Sequence, residues 1–372
     1  MKRVAVFILV VLVGAGTSFV GLGSLRFGSP QHLLMNVRAA MRPETVPAVT
    51  PDASQQVAQV AGPATTPPTE EPTPAPSPTL APTATPEPTH TPTPEPTATP
   101  TATATPAYAQ ALPAHTLSGF RHEWQAWNNC GPVTMSMNLS YYGVITNQFE
   151  IAAVIRPHEE DKHVGPEEMA AYARAQGMRS MVRENGSLVM LKTLVSNDVP
   201  VIVASWYETH DGDAMGHYRL VVGYDDAAQE FVLYDSLRST VADWQAPYHG
   251  IRISYAEMER LWGIMNYRYI PVYPEERAEI VEGIIGEDMD DAAMWARSLA
   301  RAEADAQARP EQAFSWFVLG SNLAAQGRYE EAVTAYERAR EIGLPHRTHW
   351  YTFGPYQAYY ETGRYQELIA LA

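Results

Sequence analysis

Residues 62–106 hold 15 prolines and 15 threonines in 45 positions, half of the 30 prolines in a chain of 372 residues. Proline lacks a backbone N–H and has a locked φ, so it suits neither a helix interior nor a central strand. The segment also has almost no large apolar side chain to bury, so nothing offsets the entropy cost of ordering it. It is expected to be an extended polyproline II stalk, reaching about 140 Å at ~3.1 Å per residue. Folded structure is therefore confined to either side of it. On the N-terminal side, Met1-Lys2-Arg3 precedes an uncharged, largely apolar run over residues 4–25. A basic start followed by such a run is an export signal. It is long enough to cross a bilayer, which takes about 20 residues, and its positive end stays cytoplasmic. Residues 1–25 are thus expected to be a signal anchor or, next in preference, a cleaved signal peptide, with the remainder extracytoplasmic. Residues 26–114, stalk included, are expected to be disordered. That leaves two folded modules, 115–284 and 285–372.

The formal charge is −16, and no module is basic, which argues against a nucleic-acid partner. The chain has one cysteine, Cys130. That excludes an internal disulfide and a Cys-x-x-Cys metal site. A lone cysteine is ordinarily a small buried hydrophobe, but the surroundings of this one differ. In Gln125-Ala-Trp-Asn-Asn-Cys-Gly-Pro, Pro132 suits the first turn of a helix. Val133, Met137 and Tyr141 follow as an apolar stripe, and Gly143 supplies a stop. Cys130 thus stands at a helix N-terminus, where the dipole and free N–H groups favour a thiolate.

Helical patterns follow at about 147–155, 166–176 and 187–197. Strand patterns follow at 199–207, 216–225, 230–235 and 267–273, with a short helix near 255–262. Helices first and an antiparallel sheet afterwards make an α+β domain. A thiol nucleophile needs an imidazole, and the imidazole needs an orienting group. His217 opens one strand and Asp235 closes the next, so both could meet a helix-borne Cys130. Gln125 lies five residues before the cysteine, and its amide could join the Cys130 N–H in an oxyanion hole; Asn128 or Asn129 could serve instead. Asp211-Gly-Asp213 hints at calcium, but two carboxylates favour a solvated loop, and no metal site is assigned.

Together, WNNCGPVTMSMNLSYYG, GHYRLVVGYDD and FVLYDS resemble the papain-like cysteine peptidases of family thirty-nine, the bacteriocin-processing type that cuts double-glycine leaders. The resemblance covers residues 115–245 and extends toward 274. It implies Cys130 as nucleophile, His217 as general base and acid, Asp235 as orienter and Gln125 as oxyanion donor, with no metal or organic cofactor. The family often has proline after the aspartate, where this chain has Ser236.

In the last module, Trp316-x-x-Leu319-Gly320-x-x-Leu323 leads to Gly327-x-Tyr329, Ala332, Tyr336, Ala339 and Pro345. This is the pattern of a tetratricopeptide repeat, a pair of packed helices. Tyr359, Gly363 and Tyr365 resume the pattern 36 residues after Leu323, Gly327 and Tyr329, so a second repeat follows with a two-residue insertion. Residues 288–308 read as half of a degenerate earlier repeat. So short an array is expected to dock on the peptidase-like module or on a protein partner. The expectation is an exported thiol peptidase acting on a peptide or protein, membrane-associated through its N-terminal segment. The alternatives are a non-catalytic surface-assembly module, or another thiol acyl transferase or amidase on the same scaffold.

Overall fold

The computed structural model describes residues 108–372 apart from 159, 160, 162 and 210–212. The N-terminal apolar segment, the stalk and most of 26–114 lie outside the described residues. Among the described residues, no helix is long and apolar enough to cross a membrane.

In strand β3 (Val201–Glu208), Val201 and Val203 enter one apolar cluster, while Ile202 between them enters another. Side chains alternate across a strand, so this sheet has a core on each face. Its strands are β1 (Ala114–Thr116), β2 (Arg179–Ser180), β3, β4 (Ala214–Asp225), β5 (Glu230–Tyr234), β6 (Ile251–Ser254) and β7 (Tyr269–Tyr273). The order is β2-β7-β3-β4-β5-β6, every pair is antiparallel, and β1 pairs with β4. Helices α1 (Cys130–Tyr141), α2 (Gln148–Ile155) and α3 (Pro166–Ala175) supply Val133, Ile151 and Met169 to the cluster on one face. Helices α4 (Leu188–Ser196), α5 (Tyr255–Gly263) and α6 (Ala278–Ile285) supply Leu191, Trp262 and Val281 to the other.

Helix α1 departs from the expected single stripe. Every residue from Gly131 to Leu139 is buried, whereas Tyr141 is only partly so. The helix is enclosed by the sheet, α2 and α3, so its polar side chains need internal partners. Thr134 Oγ1 donates to the Tyr218 carbonyl at 3.2 Å, Ser136 Oγ to Thr146 at 3.1 Å and Asn138 Nδ2 to Pro200 at 3.3 Å. Residues 108–113 run along the end of α4. There the Ala109 N–H donates to Asn197 Oδ1 at 2.9 Å and the Leu112 N–H to Ser196 Oγ at 3.1 Å.

The C-terminal helices are α7 (Asp291–Ala308), α8 (Ala313–Ala325), α9 (Tyr329–Ile342), α10 (Gly354–Glu361) and α11 (Tyr365–Leu371). Helices α8 and α9 pack closely because position 320 is glycine: a Cβ there would stand 2.7 Å from the Tyr336 ring. The array docks on the sheet domain through Asn266, whose Oδ1 accepts from Asn322 Nδ2 at 2.9 Å and Ser298 Oγ at 3.1 Å. The Arg301 guanidinium lies 3.2 Å from the centre of the Tyr267 ring and donates to the Gly186 carbonyl at 2.9 Å. Between α9 and α10, a short 3-10 turn (His346–Trp350) brings the chain back over β4.

Candidate active site

The β4–β5 ladder ends at Leu220↔Tyr234. Beyond it, the edge of β4 at Tyr218 is taken up by the first turn of α1, through the Thr134 bond. This places Cys130 beside His217. The loop leading into α1 is tied down from α2. Gln148 Oε1 accepts from the Ala126 N–H at 2.7 Å and from Asn129 Nδ2 at 3.1 Å, and Gln148 Nε2 donates to Glu123 at 2.8 Å. Asn128 takes a left-handed φ of 57°, which asparagine tolerates better than most residues.

Asn129 occupies the N-cap of α1, yet its side chain caps nothing. Its Oδ1 accepts instead from Arg156 Nη2 at 2.7 Å. The first N–H groups of the helix are thereby left without a side-chain cap, as an anion site at a helix N-terminus requires. With both ends of its amide engaged, Asn129 is also unsuited to the oxyanion role that the sequence left open to it.

His217 and Arg219 are two residues apart on β4 and so share a face, which Ser205, the cross-strand partner of His217, also occupies. Asp235 follows the last residue of β5, where both side chains reach it. His217 Nε2 bonds to Asp235 Oδ1 at 2.9 Å, and Arg219 Nε donates to Oδ2 at 2.8 Å. Arg219 Nη1 donates to Ser205 Oγ at 2.8 Å. All four side chains are buried. With Nε2 turned to Asp235, Nδ1 is the ring nitrogen left for the half-buried thiol of Cys130.

Burial raises the pKa of the Cys130 thiol. The hydrogen bond and charge of His217, with the N–H groups of Tyr218 and Gly131, outweigh it and bring the thiol below its ordinary value. Burial lowers His217, but the charge and hydrogen bond of Asp235 and the contact with Cys130 carry it up to about 9. Burial acts against the Asp235 carboxylate, while His217 and Arg219 hold it well below the usual carboxylate range. Both shifts favour thiolate and imidazolium over thiol and imidazole, the direction in which a thiol is activated.

Gln125 lies at the rim of this group. Its N–H donates to the Ser236 carbonyl at 3.0 Å, and its Oε1 accepts from Ser236 Oγ at 2.7 Å. Its Nε2 is then the end of the amide left to donate. Ser236, the departure from the family pattern, thus orients the residue assigned to the oxyanion. Tyr248 braces Asp235 from outside: its Oη accepts from the Asp235 N–H at 2.8 Å, and its ring stacks on His122 at 3.6 Å. Sequence reasoning missed Arg219, Ser205 and Tyr248, and saw Ser236 only as a departure from the family pattern. Of the three missed, a visible signal existed only for Arg219, a charge inside the strand Tyr218-Arg-Leu-Val-Val222. Of the Asp211-Gly-Asp213 loop, only Asp213 is among the described residues; its Oδ2 pairs with Arg347 at 2.8 Å. Among the described residues, no cluster of three or more His, Cys, Asp or Glu could hold a metal ion.

No curated protein matches the chain. Among solved structures, a C39-like peptidase from Bacillus anthracis is similar at 15% identity, with a TM-score of 0.35 over 44% of this chain and 98% of its own. The peptidase domain of Streptococcus ComA, a bifunctional ABC transporter of a quorum-sensing pathway, is similar at 14% identity. Its TM-score is 0.33 over 42% of this chain and 100% of its own. A double-glycine-motif protease from an AMS/PCAT transporter, solved with its leader peptide, is similar at 12% identity. Its TM-score is 0.30 over 43% of this chain and 94% of its own. Residues 106–269 match the family described as Peptidase_C39 like, and residues 313–343 match the tetratricopeptide repeat. The chain thus carries a region similar to the C39-like peptidase family, followed by a match to the tetratricopeptide repeat.

Proposed function

We propose that this protein is a thiol peptidase acting outside the cytoplasm through Cys130, His217 and Asp235. The observation that carries the reading is the placement of the half-buried Cys130 at the uncapped start of α1, within hydrogen-bonding reach of a buried His217 that Asp235 holds at 2.9 Å. The match to a peptidase family supports a peptide bond as the target, and the apolar run at residues 4–25 supports export.

Cys130 Sγ attacks the carbonyl carbon of the scissile peptide. The oxyanion takes hydrogen bonds from the Cys130 N–H and Gln125 Nε2. As the C–N bond breaks, the imidazolium of His217 gives its proton to the departing nitrogen. The neutral imidazole then takes a proton from water, whose oxygen attacks the thioester. The C–S bond breaks, the acid leaves, and the thiolate faces imidazolium again. Asp235 stays ionised throughout and holds the ring.

The single cysteine makes the test clean. In the full chain, iodoacetamide alkylation of Cys130 is expected to be fast already at pH 6–7, well below a free thiol's pKa of ~8.5. The His217→Ala variant is expected to need pH near that value. Peptide hydrolysis is expected to fall above pH 9 as His217 loses its proton, while alkylation stays fast because the thiolate persists. Slow alkylation of both proteins at pH 7 would leave Cys130 a structural thiol.

The Gln125→Ala variant removes one oxyanion donor and keeps the thiolate pair. Its expected loss in kcat is about 100-fold or more, with alkylation unaltered in pH dependence. A kcat within a few-fold of the unmodified protein would reassign the oxyanion donor.

A further inference from the structure

A cavity of about 300 Å³ lies between the sheet domain and the repeats. That is at the low end for ligand pockets, room for one or two side chains of a peptide. The sheet domain contributes His163, Met265 and Arg268 to its walls; the repeat segment contributes Phe317, Tyr351 and Phe353. The wall touches the neighbour of His217 through Tyr351, and through His163 it comes within one residue of a contact with the neighbour of Cys130. His163 adjoins Val164, whose Cγ1 would stand 2.9 Å from a Cβ on Gly131, the neighbour of Cys130. Tyr351 lies on Gly216, the neighbour of His217, with its ring 2.6 Å from where a Cβ would be. A side chain on Gly216 would displace Tyr351 of this wall, and one on Gly131 would displace Val164, the neighbour of His163.

We infer that this cavity is a side-chain subsite of the active site, that the connection between α9 and α10 supplies one of its walls, and that its occupant is a bulky apolar side chain of the peptide substrate. The inference rests on the thiol-peptidase reading and names the substrate class for it.

Three observations favour an apolar occupant. The walls present aromatic rings from the repeats, with Tyr351 set edge-on to Trp206 at 6.2 Å and Phe353 edge-on to His163 at 5.0 Å. The one cation in the wall, Arg268, is already paired with buried Glu184 at 2.6 Å. Burial lowers the pKa of His163 against the opposing pull of Glu168 and Asp161, so its ring is neutral at pH 7. No unpaired charge is left for an acidic or basic side chain, while an apolar one gains by leaving water. The connection is held in place by the Arg347–Asp213 pair and by Tyr351 itself, whose phenol is pushed up to about 12 by burial and by the negative charge of Cys130.

The test uses three thiol reagents on the full chain: iodoacetamide, Ac-Gly-Gly-chloromethyl ketone and Ac-Phe-Gly-chloromethyl ketone. In the unmodified protein, the Phe reagent is expected to inactivate about tenfold or more faster than the Gly reagent, the gain from burying one aromatic side chain. Two variants alter the wall at separate points. Tyr351→Ala removes part of it, and Ala325→Phe fills the cavity from helix α8, where Ala325 lines it. Each is expected to bring the Phe-to-Gly ratio to within about twofold of one. Because the readout is a ratio on one protein, a change in thiol reactivity cancels. Equal rates for the two peptide reagents in the unmodified protein, with fast iodoacetamide alkylation, would overturn the subsite and leave the peptidase reading standing. A preference that survives both variants would place the selecting pocket elsewhere. Slow iodoacetamide alkylation at pH 7 would overturn the peptidase reading and the subsite with it.

Discussion

Cys130→Ser is expected to lower peptide hydrolysis by about ten-thousand-fold or more, the scale seen when the nucleophile of such a set is removed. The exchange changes one atom. The geometry of α1, the uncapped N–H groups and the His217–Asp235 bond all remain. What goes is the acidic thiol: a serine hydroxyl is far too weak an acid to give its proton to the His217 imidazole in the ground state. The Cys130 contact that helps to raise the His217 pKa goes with it, and the serine oxygen would have to be activated by His217 during the reaction itself. Urea denaturation of the variant is expected to match the unmodified protein, because Cys130 is half-buried and the volume change is small. Hydrolysis within tenfold of normal, measured as initial rates on a fluorogenic peptide, would show that the thiol is not the nucleophile.

The second large effect is on stability. Arg219→Met leaves Asp235 in the interior with His217 as its one charged partner beside the Leu237 N–H, and removing one partner of a buried pair costs about 3–5 kcal/mol. The pH dependence has a definite sign. Asp235 is held below the usual carboxylate range. Its pairing therefore stabilises the fold above the unfolded pKa of about 3.9 and is lost as acid protonates the carboxylate below that. The gap between Arg219→Met and the unmodified protein should hold from pH 7 down to about pH 4 and narrow only below that, as Asp235 is protonated. His217 acts in the opposite direction. With a folded value of about 9 against an unfolded value of ~6.5, its contribution is complete below pH 6.5 and is lost as pH rises through 9. Urea midpoints at about pH 3, 5, 7 and 9, followed by tryptophan fluorescence, read both effects. An Arg219→Met midpoint unchanged at pH 7 would mean that Asp235 needs only His217.

Much of this site was legible before any coordinates. The helix opened by Cys130, the strand opened by His217 and the aspartate closing the next strand each carry a local signature: Pro132 and Gly143 around the helix, β-branched runs in the strands. The four pieces missed from the fold were β1, β2, β6 and α6. The strands among them have three, two and four residues, too short for a period of two to register. Helix α6 follows Pro274 and a charged stretch, and only Val281 and Ile285 in it are buried.

The sequence by itself determined that residues 62–106 carry too few large apolar side chains to supply a core. It also determined that the chain has one thiol, that this thiol stands at a helix start, and that a histidine and an acid lie on consecutive strands. These follow from backbone constraints and periodicity, which act over a few residues. Only the tertiary structure decided that Arg219 would share Asp235, that Ser236 would orient Gln125, that Asn129 would leave the helix uncapped, and that the connection between α9 and α10 would bring Tyr351 against Gly216. Each of these is a contact between residues distant in the chain or a choice among hydrogen-bond partners. Such choices are made by which buried polar group stays unsatisfied otherwise, and that is settled only once the elements have packed.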